Sequence, residues 1–273
     1  MTLEQRAETR RLFGLEEPIP VQYAIWLGEV VQGNLGVSLR SGRAVVDEIA
    51  AVLPGTLELG LLGALLGIGI GLPVGILSAV HQDRPADRGM RFLVYIFISL
   101  PEFWLGTLMV LLFSIHLRWL PAGGYVGLFD DPLEALRFVV MPAVVLGLIM
   151  AAFLSRVVRS TMLETLRQDY VTVARAKGLS GPAVLLDHAL RNAAGPIITL
   201  VGLQFAFLIS GSVIVEEVFV RPGLGRLLVR SIFQRDYAVV QGVTLLFTVI
   251  FVAANLLTDV LRGIVDPRVR ARA

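Results

Sequence analysis

The residue types that most often carry catalysis are thinly spread in this chain. Its three histidines, His81, His116 and His188, fall on separate stretches, and it has no cysteine. There is no H-E-x-x-H pair to hold zinc, no G-x-S-x-G nucleophile turn, no Ser/His pair placed for intramembrane proteolysis, and no G-x-x-x-x-G-K-[ST] loop to cradle the phosphates of ATP. Neither a metal site nor nucleotide hydrolysis is expected of it. Two features remain. Glu102 follows Pro101 near the middle of a long apolar run, and a charged stretch, residues 156–191, lies between two other apolar runs. An ionisable group inside an apolar run is costly and is a functional candidate. Glu102 either lines a path or hydrogen-bonds the helix backbone that Pro101 frees. The chemistry on offer is recognition and movement: a conduit, not a catalyst.

The elements that must position these groups follow from periodicity. In the charged stretch Leu163, Leu166, Tyr170 and Val173 recur at helical spacing among Arg, Asp, Glu and Gln, which predicts one amphipathic helix. Lys177 suits its last turn, and Gly178 suits the left-handed residue just beyond. Ser180 is placed as an N-cap, with Pro182 in the first turn of a second helix running to about Arg191. The expectation is a short helix, a glycine turn and a second short helix, a knob that a partner can grip.

Around this knob the composition is that of a membrane protein. The 273 residues are 55% hydrophobic, with a mean hydropathy of +0.75. A net charge of +2 gives no argument for nucleic acid. Five runs approach the roughly 20 apolar residues that a bilayer requires, at about 53–80, 92–115, 138–154, 193–215 and 239–261. In the first, Gly63, Gly67, Gly71 and Gly75 recur every fourth residue, leaving one face open to a neighbouring helix. A dinucleotide fingerprint is the weaker reading of these glycines, since no strand precedes them. Ahead of the runs, Tyr23, Trp26, Leu27, Val30 and Val31 put one apolar face on a helix within 18–36, lying at a membrane boundary or against the spans. Residues 1–52 are therefore expected to be a segment outside the bilayer, and 53–273 the transmembrane domain. Glu58, Glu216 and Glu217 are expected at a solvated boundary, and Asn255 and Asp259 in interhelical hydrogen bonds.

Lys and Arg divide unevenly between the connections. Those at 81–91, 155–192 and 262–273 hold thirteen, and those at 116–137 and 216–238 hold six. By the positive-inside tendency the first set, with the C-terminus, faces the cytoplasm. A charged N-terminus with no signal-like apolar core then sits outside.

The run Asp169-Tyr170-Val171-Thr172-Val173-Ala174-Arg175-Ala176-Lys177-Gly178-Leu179-Ser180, followed by His188-Ala189-Leu190-Arg191-Asn192, resembles the cytoplasmic coupling loop of ABC importer permeases. That loop reads E-A-A, three residues, Gly, nine residues, then I-x-L-P. Ala174, Gly178 and Leu190 keep its spacing, while Thr172, His188 and Arg191 stand where the pattern has Glu, Ile and Pro. These departures are typical of the dipeptide/oligopeptide/nickel branch. The phrase Leu100-Pro101-Glu102-Phe103-Trp104-Leu105-Gly106 is also similar to that branch. So are the segment carrying Pro222, Gly223, Gly225, Asp236 and Tyr237, and the closing Asp266-Pro267-Arg268.

The resemblance implies an all-α type I ABC importer permease of a bacterial or archaeal cytoplasmic membrane. Its partners would be a second homologous permease subunit, two ABC ATPase subunits and an extracytoplasmic substrate-binding protein. ATP and Mg would sit on the ATPases, with no cofactor on this chain. Asp169, Tyr170, Ala174, Ala176, Lys177, Gly178, Leu179, His188, Leu190 and Arg191 would meet an ATPase, and Pro101 and Glu102 would line the path. The segment from Pro222 to Tyr237 would receive the binding protein or seal the outer gate. Relatives carry short peptides, nickel chelates or glutathione. They usually begin with one more span, so six are expected in the full-length protein where five are visible, a five-span variant being the alternative. An ion-coupled secondary transporter is the rival class, although it should show an inverted repeat and clustered ionisable groups where Glu102 stands nearly alone. A membrane sensor would need a soluble output domain.

Overall fold

The computed structural model describes residues 17–265. The polar residues 1–11 and the closing Asp266-Pro267-Arg268 lie outside them. Helix α1 (Ile19–Val31) is followed by α2 (Val45–Val80), α3 (Pro85–Ser99), α4 (Glu102–Met109, continued by π-helical turns Val110–His116) and α5 (Pro132–Leu166). Then come α6 (Asp169–Ala176), α7 (Gly181–Ala183), which leads through π-helical Val184–Leu190 into α8 (Arg191–Gly211), α9 (Val213–Val218), α10 (Leu224–Gln234) and α11 (Tyr237–Val265).

Among the described residues four helices are long and apolar enough to cross a membrane: Val45–Val80, Pro132–Leu166, Gly181–Val218 and Tyr237–Ile264. The second span expected at 92–115 is built from two helices, α3 and the α4 segment, with a bend of 100° between them. The cause is local. Pro101 lacks an N–H for the helix ladder, and its ring forces Leu100 out of the helical region, to φ −83°, ψ 126°.

The glycine stripe fixes the centre of the bundle. A Cβ on Gly63 would lie 3.2 Å from Leu146 Cβ, one on Gly71 2.8 Å from the Ala151 carbonyl oxygen, and one on Gly75 2.7 Å from the Ser155 carbonyl oxygen. The two chains advance together, so α2 and α5 are parallel. The bent α3–α4 pair must therefore carry the chain back to the starting end, which makes it the fifth crossing. The α7–α9 stretch runs antiparallel to α2, with Ile209 against Gly60 and Ile197 in the cluster of Ala79, Leu154 and Val158. α11 begins beside the start of α2, where a Cβ on Gly242 would meet Val45. One end of the bundle thus gathers the ends of α2, α5 and α11 with α6. Here it is termed the elbow end, and the other the latch end.

Several expected boundaries move. α2 begins at Val45 rather than 53, α5 runs on to Leu166 through the start of the charged stretch, and the helix after Gly178 does not stop near Arg191 but continues to Val218. α1 buries no residue; its Tyr23 and Trp26 rings lie 5.9 Å apart.

The backbone of Ala151 cannot move aside for a methyl on Gly71, so Gly71→Ala is expected to cost about 1–3 kcal/mol. At Gly69 nothing lies within 4 Å of an added Cβ, and Gly69→Ala should be neutral or stabilising. Thermal unfolding of both variants in detergent checks this, and equal behaviour would count against the packing account.

Candidate functional site

At the elbow end the polar pair Arg167 and Gln168 offers no apolar anchor for another turn of α5. Gln168 is extended (φ −73°, ψ 148°) and α6 starts afresh at Asp169, an acidic first turn that suits the helix dipole. The single expected stripe is therefore corrected. Leu163 and Leu166 end α5, whereas α6 packs Val171 and Ala174 on Val184 and Leu166 and leaves Tyr170 and Val173 exposed. α6 closes with two bonds: the Gly178 N–H donates to the Arg175 carbonyl at 3.0 Å and the Leu179 N–H to the Ala174 carbonyl at 3.3 Å. Gly178 sits at φ +81°, the left-handed residue of a Schellman cap. Nothing lies within 4 Å of a Cβ placed there, so glycine is required by backbone conformation and not by space. Ser180 holds the N-cap position, but its hydroxyl makes no capping bond.

Asp169, Tyr170, Ala176, Lys177, Gly178 and Leu179 form an exposed ridge, and Arg191 is exposed nearby. Ala174 is buried, and Leu190 packs on the cluster of Leu154, Val158, Ala189 and Ala193. His188 is half-buried; its carbonyl accepts from Asn192 Nδ2 at 2.6 Å. Ala174 and Leu190 thus hold the elbow together, and the ridge is what a partner could touch.

Pro101 occupies the N-cap position of α4, and Glu102 is its first residue. Its carboxylate makes no hydrogen bond to the backbone that Pro101 frees. It lines a cavity of about 210 Å³ between Met150 and Phe153 of α5 and Gln204, Phe207 and Gly211 of α8.

At the latch end, sequence reasoning missed the main feature. Glu216 is fully buried. Its carboxylate accepts from Thr56 Oγ1 at 2.7 Å, Ser212 Oγ at 2.9 Å and the Arg226 N–H at 3.0 Å. Thr56 Oγ1 in turn accepts from the Leu224 N–H at 2.8 Å. Beside it Arg221, 1% exposed, donates through Nη2 to Glu58 Oε2 at 2.8 Å and through Nε to the Gly55 carbonyl at 3.3 Å. The Arg221 guanidinium lies 4.6 Å from the centre of the Tyr125 ring, and the Tyr125 hydroxyl donates to Glu58 at 3.2 Å. Burial lowers the Arg221 pKa from its ordinary value, against the raising pull of Glu58 and Tyr125. Glu58 and Glu216 are therefore not at a solvated boundary; Glu217 is exposed, 3.8 Å from Arg226. The available signal was a lone Glu interrupting an apolar run at 58 and a Glu pair placed just before the Arg221-Pro222 turn.

The backbone here is strained to fit. Val220, a β-branched residue, sits at φ +50°, its turn closed by the Arg221 N–H on the Glu216 carbonyl at 2.9 Å. Pro222 is half-buried with its carbonyl against Gly55, while Gly223 lies beneath the Glu216 carboxylate and Gly225 against Val213. Asp236 is buried and accepts from Ser38 Oγ at 2.5 Å; Tyr237 is 66% exposed. In α11, Asn255 bonds the Phe251 carbonyl of its own helix at 2.9 Å and Asp259 is exposed, which corrects the expected interhelical bonds.

Residues 71–271 match the family described as binding-protein-dependent transport system inner membrane component. The chain is 44% identical over 257 residues to a putative peptide transport system permease protein of Brucella abortus, covering 94% of this chain and 82% of that one. It is 43% identical over 260 residues to the oligopeptide transport system permease protein AppB of Bacillus subtilis, with the same coverage. Against the di/tripeptide transport system permease protein DppB of Pseudomonas aeruginosa it is 38% identical over 287 residues, 98% of this chain and 85% of that one. Among solved structures it is similar to an inward-facing MetNI methionine ABC transporter chain, with TM-score 0.66 and 20% identity over 80% of this chain and 96% of that one. An amino acid ABC transporter gives 0.62 and 15% over 80% and 94%; at such identities the likeness is one of fold.

Thr56→Val removes a donor to Glu216 and the acceptor of the Leu224 N–H without changing side-chain size. It is expected to lower stability by about 2–3 kcal/mol, read as a lower thermal midpoint. An unchanged midpoint would show that these bonds do not hold the latch.

Proposed function

The chain belongs to the family of binding-protein-dependent transport system inner membrane components, with the type I ABC importer permease fold, and on that premise we propose that it forms part of a path carrying short peptides, or a related solute such as a nickel chelate or glutathione, into the cytoplasm. It is a multi-pass inner-membrane transporter component. The elbow carries the reading. An exposed ridge, capped by a glycine that only a left-handed turn requires, stands where the ends of α2, α5 and α7 meet, and it is built as a grip for a partner. The peptide class draws on the names of relatives at 38–44% identity.

In this reading the elbow end and the C-terminus face the cytoplasm and two ATPase subunits, which bind ATP and Mg. A second permease subunit completes the path. The latch end faces outward, where the exposed parts of the segment from Pro222 to Tyr237 meet the substrate-binding protein. Glu102 borders the path. ATP-driven closure of the ATPase pair favours one permease conformation over the other, and the elbow transmits that preference as rigid-body motion. The ion-coupled alternative draws no support from the relatives or from the solved structures.

A side chain at Gly178 meets open space, so its cost is the left-handed backbone, about 1–2 kcal/mol, concentrated in the turn that aligns α6 with α7. Gly178→Val is expected to insert and fold, yet to lose more than about tenfold in ATP-driven dipeptide uptake in proteoliposomes holding all subunits. Wild-type uptake by this variant would overturn the coupling role. Glu102→Gln is expected to change uptake while leaving ATP hydrolysis by the assembled complex intact; equal uptake of all peptides tested would remove Glu102 from the path.

A further inference from the structure

On the flank of the elbow end, α2, α3 and α5 enclose a cavity of about 350 Å³ whose wall carries four guanidinium groups, Arg91, Arg156, Arg159 and Arg167. Behind it Asp87 is fully buried. Asp87 accepts from Arg159 Nε at 3.0 Å and Nη2 at 2.9 Å, from the Asp83 N–H at 3.0 Å, and from the Ser78 hydroxyl. With its oxygens so occupied it leaves Arg91 only a 3.4 Å approach, and Arg91 Nε is buried without a hydrogen bond. Arg156 meets the Phe153 ring, 5.7 Å from its centre. Arg167 has no anionic partner among the described residues. Glu164 is the one carboxylate on the wall, 3.4 Å from the Ser160 hydroxyl. Four guanidinium groups facing Asp87 and Glu164 leave a surplus of two positive charges.

This cationic wall continues into an apolar one. Val94 and Tyr95 line the same cavity, and on the adjoining turns of α3 Phe92, Leu93 and Tyr95 are each more than half exposed. A free anion would use the arginines alone. An amphiphile with an anionic head would use both surfaces. We propose that this cavity holds the phosphodiester headgroup of an anionic phospholipid, with Arg156 and Arg167 as its principal contacts and an acyl chain along the Phe92 and Tyr95 face of α3. Guanidinium forks match phosphate oxygens in geometry as well as charge, and basic pockets between helices at the cytoplasmic surface suit such headgroups. The headgroup joins the start of α3 to the last turns of α5, just before the break at Arg167.

The test uses the complete transporter complex purified in mild detergent. Native mass spectrometry and thermal unfolding are recorded with added phosphatidylglycerol, phosphatidylcholine or sodium phosphate, for the wild type and for the Arg156→Gln/Arg167→Gln double variant. Arg91 and Arg159 stay in place because the buried Asp87 depends on them. Expected are retained phosphatidylglycerol and a raised midpoint for the wild type only, with no shift from phosphatidylcholine or sodium phosphate, and affinity about thirtyfold weaker in the double variant. An Arg156→Lys/Arg167→Lys variant, which keeps the charge, should recover part of the shift and controls for misfolding. Equal shifts in the wild type and the Gln variant, or equal shifts from phosphatidylglycerol and phosphatidylcholine, overturn the site. A full shift from sodium phosphate alone overturns the lipid assignment in favour of a soluble phosphate.

Discussion

The close approach of two backbones, α2 and α5, is the contact on which the other positions depend. In a bilayer the hydrophobic effect does not press helices together, so association rests on dispersion contacts and on how near the main chains can come. Gly71 and Gly75 bring α2 within reach of the carbonyls of Ala151 and Ser155, and the parallel pair becomes a fixed central post. Its parallel sense forces the intervening α3–α4 pair to cross back, and the bend at Pro101 places Glu102 beside α5 and α8. The same post offers Thr56 and Glu58 at one end and Ser78 at the other, the anchoring points of the latch and of Asp87.

The two ends are held by different physics. The latch is polar: Glu216 and Arg221 are buried, the Glu216 carboxylate accepts from α2 and from the neighbouring turns, and Arg221 donates through Nε and Nη2 to α2 while its Nη1 is left without a partner among the described residues. Removing one member strands the others, so the network favours a single arrangement. The elbow is apolar inside and exposed outside, with Val171 and Ala174 of α6 packed against Val184 and Leu166. Between them, Gly181–Val218 runs as one helix of 38 residues, about 57 Å long at the usual rise. π-helical turns at Val184–Leu190 and a turn at Ser212 interrupt its α-helical ladder.

Much of the architecture was legible because its signals are local. Hydropathy marked the apolar runs, the fourfold glycine spacing marked the central contact, and the Lys177-Gly178 pair marked a cap whose φ angle and hydrogen bonds the structure shows. What failed did so where distant residues decide. The stripe through Leu163, Leu166, Tyr170 and Val173 has helical spacing, yet packing of Val171 and Ala174 on Val184 set a different face inward. Pro101 was visible, but the size of the bend was not, since it depends on what receives the two arms. Glu58 and Glu216 read as boundary residues because nothing in sequence joins Glu58 to Arg221 or Glu216 to Thr56, partners about 160 residues apart along the chain.

Val220 gives the latch a character that its hydrogen bonds alone would not. A β-branched residue held at φ +50° costs about 1–2 kcal/mol relative to an ordinary turn, and neighbouring contacts maintain it against its own preference. The latch is therefore a catch under tension. Its bonds oppose a spring, and the strain held at Val220 takes back roughly tenfold of the population advantage that they confer. The bonds must outweigh that spring for the turn to keep its shape.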